Sequence, residues 1–252
     1  MLKLNALSKS YENHCAVKSL DLEIPSGEIW GFLGVNGAGK STTMKMIAGL
    51  LRPSHGQVKV NGIDVHIDPI KAKRVIGYVP DRPYLYERLS AAEYLYFVGR
   101  LYDIPADEIK ERSERWLTEF ELNDKRGHLI ESFSHGMKQR LVMASVFLHE
   151  PKLLIVDEPM VGLDPRGARR LKALLKRERD ERGLTVLLST HTLGDAEEIC
   201  DHILLIHDGE ILAQGSADEL RAEEGERLEE VFIRLTEGDE GSNDDSNDDQ
   251  TR

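Results

Sequence analysis

Cysteine and long apolar runs are scarce in this chain of 252 residues, and its 33 Lys and Arg residues are outnumbered by 45 Asp and Glu residues; each of these features excludes a class of protein. Two cysteines, Cys15 and Cys200, are too few for a disulfide framework and fit a reducing compartment. The net charge of −12 argues against nucleic acid as the main partner, because an acidic surface repels phosphates. No apolar run approaches the roughly 18 residues that a membrane helix needs, and no signal peptide is visible after Met1. We therefore expect the chain to be soluble by itself.

The most informative segment is a glycine-rich loop of the form G-x-x-x-x-G-K-[ST] at residues 34–41. An apolar stretch precedes it at residues 29–33, and a helix-like stretch follows it at residues 42–51, which argues against a chance glycine-rich turn. Glycine lets backbone N–H groups wrap a phosphate, and the dipole of the following helix attracts the anion. The loop predicts that Lys40 reaches the β- and γ-phosphates and that the Ser41 hydroxyl binds Mg²⁺. The nucleotide-binding residues expected here are Gly34, Asn36, Gly37, Gly39, Lys40, Ser41 and Thr42.

A second apolar run, at residues 153–156, ends in two carboxylates, Asp157 and Glu158. Four apolar residues in a row predict a strand covered on both faces, and ligands bind at the carboxyl ends of such strands. Adjacent strand residues point to opposite sides, so the two carboxylates can have different roles. We predict that Asp157 holds Mg²⁺ or its water shell and that Glu158 is the general base that polarises water. Without the glycine-rich loop, a capping acid beside a solvated one would be the better interpretation.

Five further segments, in matching order and spacing, make roughly residues 2–235 resemble the ATP-binding subunits of ABC transporters. They are Tyr11, residues 76–81, residues 134–140, residues 162–164 and His191. The resemblance implies ATP as the substrate, Mg²⁺ as the cofactor and Lys40, Glu158 and His191 as catalytic residues. It also implies that Tyr11 stacks on adenine, that Ser134 and Gly136 contact the γ-phosphate, and that Asp164 belongs to the loop after the acidic strand.

Two of these segments depart from the family pattern. The signature, usually L-S-G-G-Q, here keeps Ser134 and Gly136, but His135 and Met137 stand where the family usually has less bulk or an amide. Asp81 stands where the family usually has glutamine. Hard cations accept either oxygen donor, so we predict Asp81 as a Mg²⁺ ligand beside Ser41 and Asp157. The alternative is that Asp81 only starts the following turn.

Simpler interpretations stay open for three of the residues that the resemblance identifies. Tyr11 can be an ordinary half-buried strand aromatic. Asp164 can cap the helix that starts at Pro165, and this role is compatible with a functional one. His191 can be a surface histidine, although it follows a buried strand-like run, which places it at a carboxyl end beside the γ-phosphate site.

Alternating strand-like and helix-like runs predict an α/β fold with a parallel sheet. By resemblance this is a P-loop NTPase core, mostly parallel, with antiparallel strands at the N-terminus and an inserted helical subdomain. We assign the core to residues 1–80 and 151–215 and the helical insertion to residues 81–150. Apolar residues at helical spacing predict insertion helices at residues 91–101, 106–120 and 136–148. A hairpin is predicted around Asp208 and Gly209.

The C-terminal part of the chain changes in composition. A C-terminal extension at residues 216–236 completes an ABC-type ATPase domain of residues 1–236, and we predict a short helix and one strand at residues 216–234. From residue 237 onward the chain is almost entirely Gly, Ser, Asn, Asp and Glu. Such a segment cannot bury enough surface to offset its ordering entropy, so we expect residues 237–252 to be a disordered acidic tail.

The resemblance also implies a dimer, because the signature lies on the insertion, far from the glycine-rich loop. Ser134 and Gly136 of one protomer would close head-to-tail on the γ-phosphate held by Lys40 of another, identical or related, ATP-binding subunit. The further partner implied is an integral membrane permease, which would place the protein peripherally at the cytoplasmic face of the cell membrane. By resemblance, the permease would contact residues 81–89, with Tyr84, Leu85 and Tyr86 as exposed anchors; packing within the insertion is the alternative.

Three functions compete at this point. A transport ATPase, more similar to exporters than to importers, is favoured by the variant signature and by Asp81. A soluble ABC-type switch that acts on ribosomes or DNA is less favoured, because the chain has one nucleotide domain and no heptad array. A nucleotide sensor without hydrolysis is disfavoured by the presence of Glu158 and His191.

Overall fold

The computed structural model describes residues 1–12, 14–221 and 227–240, with side chains up to residue 236. The strands are β1 (Leu2–Tyr11), β2 (His14–Ile24), β3 (Ile29–Leu33), β4 (His55–Val60), β5 (Ile63–Asp64), β6 (Ile76–Val79), β7 (Leu153–Val156), β8 (Thr185–Thr190), β9 (His202–His207) and β10 (Glu210–Gly215). The helices are α1 (Lys40–Ile47), α2 (Pro69–Val75), α3 (Ala91–Leu101), α4 (Ala106–Glu119), α5 (His135–Phe147), α6 (Pro165–Arg182), α7 (Leu193–Ile199), α8 (Ala217–Leu220) and α9 (Leu228–Glu240). Short 3-10 helices lie at Asn123–Lys125 and Ile130–Ser132. No helix in these ranges is both long enough and apolar enough to cross a bilayer.

The described strands form two sheets. A four-stranded antiparallel sheet has the order β2-β1-β4-β5, and a six-stranded sheet has the order β10-β9-β3-β8-β7-β6. In the second sheet the neighbours from β9 to β6 are parallel, and β10 pairs with β9 as an antiparallel hairpin. The α/β fold, the mostly parallel sheet and the antiparallel N-terminal strands are therefore confirmed.

Apolar layers cover both faces of the parallel sheet, as the unbroken apolar runs predict. Along β7, Leu153 and Ile155 face a cluster that includes α1 and the antiparallel sheet. Their neighbours Leu154 and Val156 face a second cluster that includes α5 and α6. This alternation leaves only the ends of the central strands open for polar side chains.

Local sequence signals explain where the functional helices begin. Lys40 starts α1, two residues before the predicted start, because Gly39 turns the chain with a φ of 102°. Asp164 caps α6 by accepting a hydrogen bond from the Gly167 N–H, and Pro165 occupies the first turn. Ser134 caps α5 in the same way, accepting from the Met137 N–H at 3.3 Å.

The insertion helices lie within two residues of their predicted bounds. Helix α5 is buried along most of its length, because it packs between α3 and α4 on one side and β6 on the other. Trp116 of α4 stacks on Phe147 of α5, with ring centroids 4.6 Å apart. This packing fixes the N-terminus of α5, and Ser134 with it, relative to the sheet.

The strand predicted between residues 216 and 234 is wrong. After α8 the chain forms helix α9, since its apolar residues recur at positions 228, 231, 232 and 235, which is helical spacing. Leu228 and Val231 are buried in a cluster with β9 and α7. Helix α9 reaches Glu240, which extends into the segment expected to lack structure, and residues 241–252 lie outside the described residues.

Candidate active site

The glycine-rich loop, the two acids and His191 meet at one edge of the parallel sheet. The glycine-rich loop follows β3, Asp157 and Glu158 follow β7, and His191 follows β8. Strands β3, β8 and β7 are neighbours and parallel, so their carboxyl ends lie side by side. This edge is where open α/β sheets bind ligands.

The glycine-rich loop depends on glycine at positions where a side chain would collide with the backbone. A Cβ at Gly39 would lie 2.6 Å from the Ala16 carbonyl oxygen, and one at Gly34 would lie 2.3 Å from that of Ile206. Glycine at these two positions therefore lets the loop pack closely against the neighbouring backbone, which fixes the conformation of the loop.

Lys40 lies beneath this loop and is only 6% exposed. Its Nζ donates to the carbonyl oxygens of Gly34 at 2.6 Å and Val35 at 3.1 Å. Burial lowers the pKa of Lys40, and the carboxylates of Glu158 and Asp157 offset that effect only in part. A buried ammonium with acidic neighbours gains from a nearby anion such as a phosphate.

One hydroxyl joins the Asp157 carboxylate to the backbone of Glu158. Asp157, 2% exposed, accepts a hydrogen bond from Ser189 Oγ at 2.6 Å. The Glu158 N–H donates to the same Oγ at 2.8 Å. Glu158 has a φ of 50°, in the left-handed region that non-glycine residues rarely adopt, so its backbone is strained and depends on such contacts.

The sequence interpretation missed Ser189. Its signal is a buried serine in the apolar strand β8, two residues before His191. Recognising its role also requires the register, in which Val156 of β7 pairs with Leu188 of β8 and so brings Ser189 beside Asp157.

His191 and Glu158 form the contact that faces the open side of the site. His191 Nδ1 lies 2.9 Å from Glu158 Oε2, with the imidazole 59% exposed and the Glu158 side chain 19% exposed. When Nδ1 carries a proton, it donates to the carboxylate and fixes the orientation of both groups. The carboxylate is then placed to accept a proton from water.

A cleft of about 880 Å³ collects most of the predicted residues. Tyr11, 46% exposed, lies at its margin together with His14 and Ala16, two residues that the sequence interpretation did not identify. The other lining residues are Asn36, Gly37, Gly39, Lys40, Ser41, Thr42, Asp81, Asp157 and Glu158. The cleft therefore joins an aromatic surface to a phosphate loop and a pair of acids.

Five predicted residues do not line this cleft: Gly34 and His191, described above, and Ser134, Gly136 and Asp164. Ser134 and Gly136 lie at the start of α5, where Gly136 approaches the Gly162 carbonyl oxygen. Asp164 caps α6, accepting from the Gly167 N–H at 2.6 Å. These residues lie outside the cleft of their own chain.

The donor set in the cleft suits a hard cation. The Ser41 hydroxyl and the carboxylates of Asp81 and Asp157 supply oxygen atoms, which Mg²⁺ prefers. Asp81 Oδ1 also accepts a hydrogen bond from the Arg82 N–H at 2.8 Å, so one carboxylate oxygen is engaged by the turn that begins there. Over the described ranges, no three His, Cys, Asp or Glu side chains gather as a metal group. This arrangement fits a cation held by one or two carboxylates together with phosphate oxygens.

Comparison with known proteins agrees with this geometry. The ABC transporter family matches residues 17–161. The ABC-type transporter ATP-binding protein EcsA of Bacillus subtilis (strain 168) is 35% identical, over 96% of this chain and 98% of its own. The daunorubicin/doxorubicin resistance ATP-binding protein DrrA of Streptomyces peucetius is 37% identical, over 90% of this chain and 68% of its own.

A solved structure extends the comparison to the reaction. It is a dimeric ATP-binding cassette, MJ0796, in a post-hydrolysis state bound to ADP and Pi. It is 28% identical, has a TM-score of 0.80, and is matched over 86% of this chain and 98% of its own. The cleft that holds Lys40, Asp157 and Glu158 thus occurs in a fold that binds and hydrolyses ATP. The chain belongs to the ABC transporter family, as an ATP-binding cassette with ATPase activity.

Proposed function

We propose that this ATPase works as a head-to-tail dimer and supplies the energy for a separate membrane permease of an exporter. The observation that carries the proposal is the division of the site. Lys40 and Glu158 share one cleft, whereas Ser134 lies outside it at the start of α5. A second protomer that brings its own Ser134 and Gly136 to this cleft would complete the contacts around the γ-phosphate.

The residues of the site have separate roles in the reaction. The loop N–H groups and Lys40 bind the phosphates, and Tyr11 stacks on the base. Glu158 accepts a proton from the attacking water, and His191 orients Glu158 through their 2.9 Å contact. Mg²⁺, when held by the side chains described above, neutralises charge on the phosphate oxygens.

The dimer acts as a switch that ATP closes and hydrolysis opens. Two nucleotides lie between the protomers, so each γ-phosphate contributes contacts to both chains. Loss of that phosphate removes the contact with Ser134 and lets the protomers separate. The dimeric state of the similar cassette MJ0796 supports this arrangement. The second subunit is an identical or a related chain.

The permease contact lies on the insertion side of the molecule. Tyr84 is 83% exposed and Tyr86 62% exposed, as large hydrophobic residues of a docking surface are, whereas Leu85 is partly buried and packs against the core. Tyr84 borders a groove of about 980 Å³ whose lining is rich in tyrosine, with Tyr94 and Tyr102. A segment of the permease would occupy this groove, which would hold the protein peripherally at the cytoplasmic face of the membrane.

Export, rather than import, is supported by the relatives and by two variant positions. DrrA is named for resistance to the drugs daunorubicin and doxorubicin. His135 in the signature and Asp81 in place of glutamine are the features of this chain that resemble exporters.

The first test is the dimerisation of Glu158→Gln. The amide cannot accept the proton, so we expect turnover to fall at least about 100-fold while ATP binding remains. With ATP and Mg²⁺ the variant should elute at the mass of a dimer in size-exclusion chromatography with light scattering. Glu111→Gln, an exposed acid of α4, is the matched control and should keep wild-type turnover. A Glu158→Gln protein that binds ATP but stays monomeric would refute the closed dimer.

The same variant identifies the partner. The protein is retrieved from solubilised membranes with ATP and Mg²⁺, and co-purifying chains are identified by mass spectrometry. A multi-spanning membrane protein supports the transport function. Ribosomes, or the absence of any membrane protein, would instead favour the soluble switch.

A further inference from the structure

We infer that Gln139 is a positioning residue that links the signature turn, residues 133–137, to Glu158 of the same protomer. This inference rests on the proposed head-to-tail dimer, in which that turn contacts the ATP held by the partner. Gln139 would then connect one ATP to the general base that acts on the other.

The first observation is a buried hydrogen bond. Gln139, one turn into α5 and 3% exposed, donates from Nε2 to the Pro159 carbonyl oxygen at 3.3 Å. Pro159 directly follows Glu158, and proline has no N–H of its own to anchor the backbone there. Gln139 therefore holds the Pro159–Met160 peptide, one residue beyond the general base, while Ser189 holds the peptide that precedes Glu158.

The second observation is a close packing contact further along the same loop. We use the name connecting loop for residues 159–163, which join Glu158 to Asp164. A Cβ added at Gly162, whose φ is +80°, would lie 3.2 Å from the His135 ring and 3.9 Å from Gln139 Oε1. The first two turns of α5 thus touch the connecting loop near both of its ends.

The third observation is that the junction between α5 and this loop contains a buried polar atom without a hydrogen-bond partner among the described residues. This atom is Gln139 Oε1. A buried acceptor without a partner is costly, so an arrangement that supplies a donor would be favoured. A small cavity next to Gln139, lined also by Met143 and Leu163, borders this junction.

These contacts connect Ser134 to Glu158 through Gln139 and Pro159. When Ser134 binds the γ-phosphate of the partner, the start of α5 shifts, and the side chain of Gln139 shifts with it. Because the Pro159 carbonyl follows, the strained backbone at Glu158 changes its orientation. Hydrolysis at one site then depends on the occupancy of the other, which is a coupling between two sites through a connected set of contacts.

The test is Gln139→Met, which keeps the length of the side chain and removes the amide. We expect kcat to fall about tenfold, the upper range for one hydrogen bond, while KM for ATP stays within about twofold. Met143→Leu, one turn further along α5 and in the same cavity, is the packing control and should keep wild-type kcat. Gln139→Leu repeats the test if Gln139→Met does not fold.

A double-mutant cycle separates coupling from general damage. If Ser134 and Gln139 act along one route, Ser134→Ala combined with Gln139→Met lowers kcat no further than the more severe single change. Losses that multiply, unchanged kcat in Gln139→Met, or an equal loss in Met143→Leu would each overturn the inference. The dimer is checked separately. Glu158→Gln combined with Gln139→Met should still dimerise with ATP, whereas a monomeric Glu158→Gln alone would refute the proposed function instead.

Discussion

His149 makes the stability of this protein dependent on pH between about pH 6.5 and pH 4. The imidazole stacks on Tyr102 with ring centroids 3.8 Å apart, and Nε2 lies 3.2 Å from the Ile76 carbonyl oxygen. Nδ1 is buried without a hydrogen-bond partner in the described part of the chain. Burial lowers the pKa of His149 from 6.5 to about 4, because the charged form loses its hydration.

The sign and size of the effect follow from proton binding. Between pH 4 and pH 6.5 the unfolded chain binds a proton at His149 that the folded protein does not, so the free energy of unfolding falls as pH falls. From the two pKa values, acidification from pH 7 to pH 5 costs about 2 kcal/mol at this residue.

The assay compares wild type with His149→Phe, which keeps the stacked ring and cannot be protonated. Urea unfolding at pH 7 and pH 5 gives four free energies of unfolding. Wild type should lose about 2 kcal/mol more than the variant. His66, whose pKa is also lowered by burial, is present in both proteins and cancels from the difference.

Equal losses in the two proteins would refute this reasoning. In that case the buried imidazole either keeps an ordinary pKa or is rehydrated at no cost. A larger loss in His149→Phe would mean that the Ile76 hydrogen bond, rather than desolvation, dominates at this residue.

Two further predictions concern the acids of the cleft. Ser189→Ala removes the hydroxyl that joins Asp157 to Glu158, so kcat should fall about 10- to 100-fold in a coupled ATPase assay. Ser145→Ala removes a buried hydroxyl of α5 that donates to the Val142 carbonyl oxygen, and it should keep wild-type kcat. Equal effects of both changes would contradict this role of Ser189. Asp81→Gln replaces a charged oxygen donor with a neutral one, so half-maximal turnover should require several-fold more Mg²⁺; an unchanged titration curve would remove Asp81 from the metal site.

The sequence was sufficient where function depends on short local patterns. Glycine positions, strand runs and strand ends are all local, so the loop around Lys40 and the acids after β7 could be placed without a structure. The sheet topology then brings these segments together, because parallel strands share one carboxyl edge.

Features that depend on register or on competing periodicities could not be placed in this way. The role of Ser189 follows only from the pairing of Val156 with Leu188. In α9, part of which lies where we predicted a strand, the helical spacing of the apolar residues and the burial of Leu228 and Val231 in a cluster with β9 and α7 select the helix. The inward orientation of Leu85 likewise depends on tertiary packing.

The path of the chain from β6 to β7 has a consequence for how this protein can vary. These strands are parallel neighbours, so between Val79 and Leu153 the chain must return from the carboxyl end of β6 to the amino end of β7. Helix α5 makes that return and packs on β6, whereas α3 and α4 pack outside it. Residues 82–132 can therefore vary in length and sequence to suit a different membrane partner, as long as they still cover α5, whereas Asp81 is held by its place in the cleft. The position of Ser134 is constrained, because α5, which begins there, returns the chain to the start of β7.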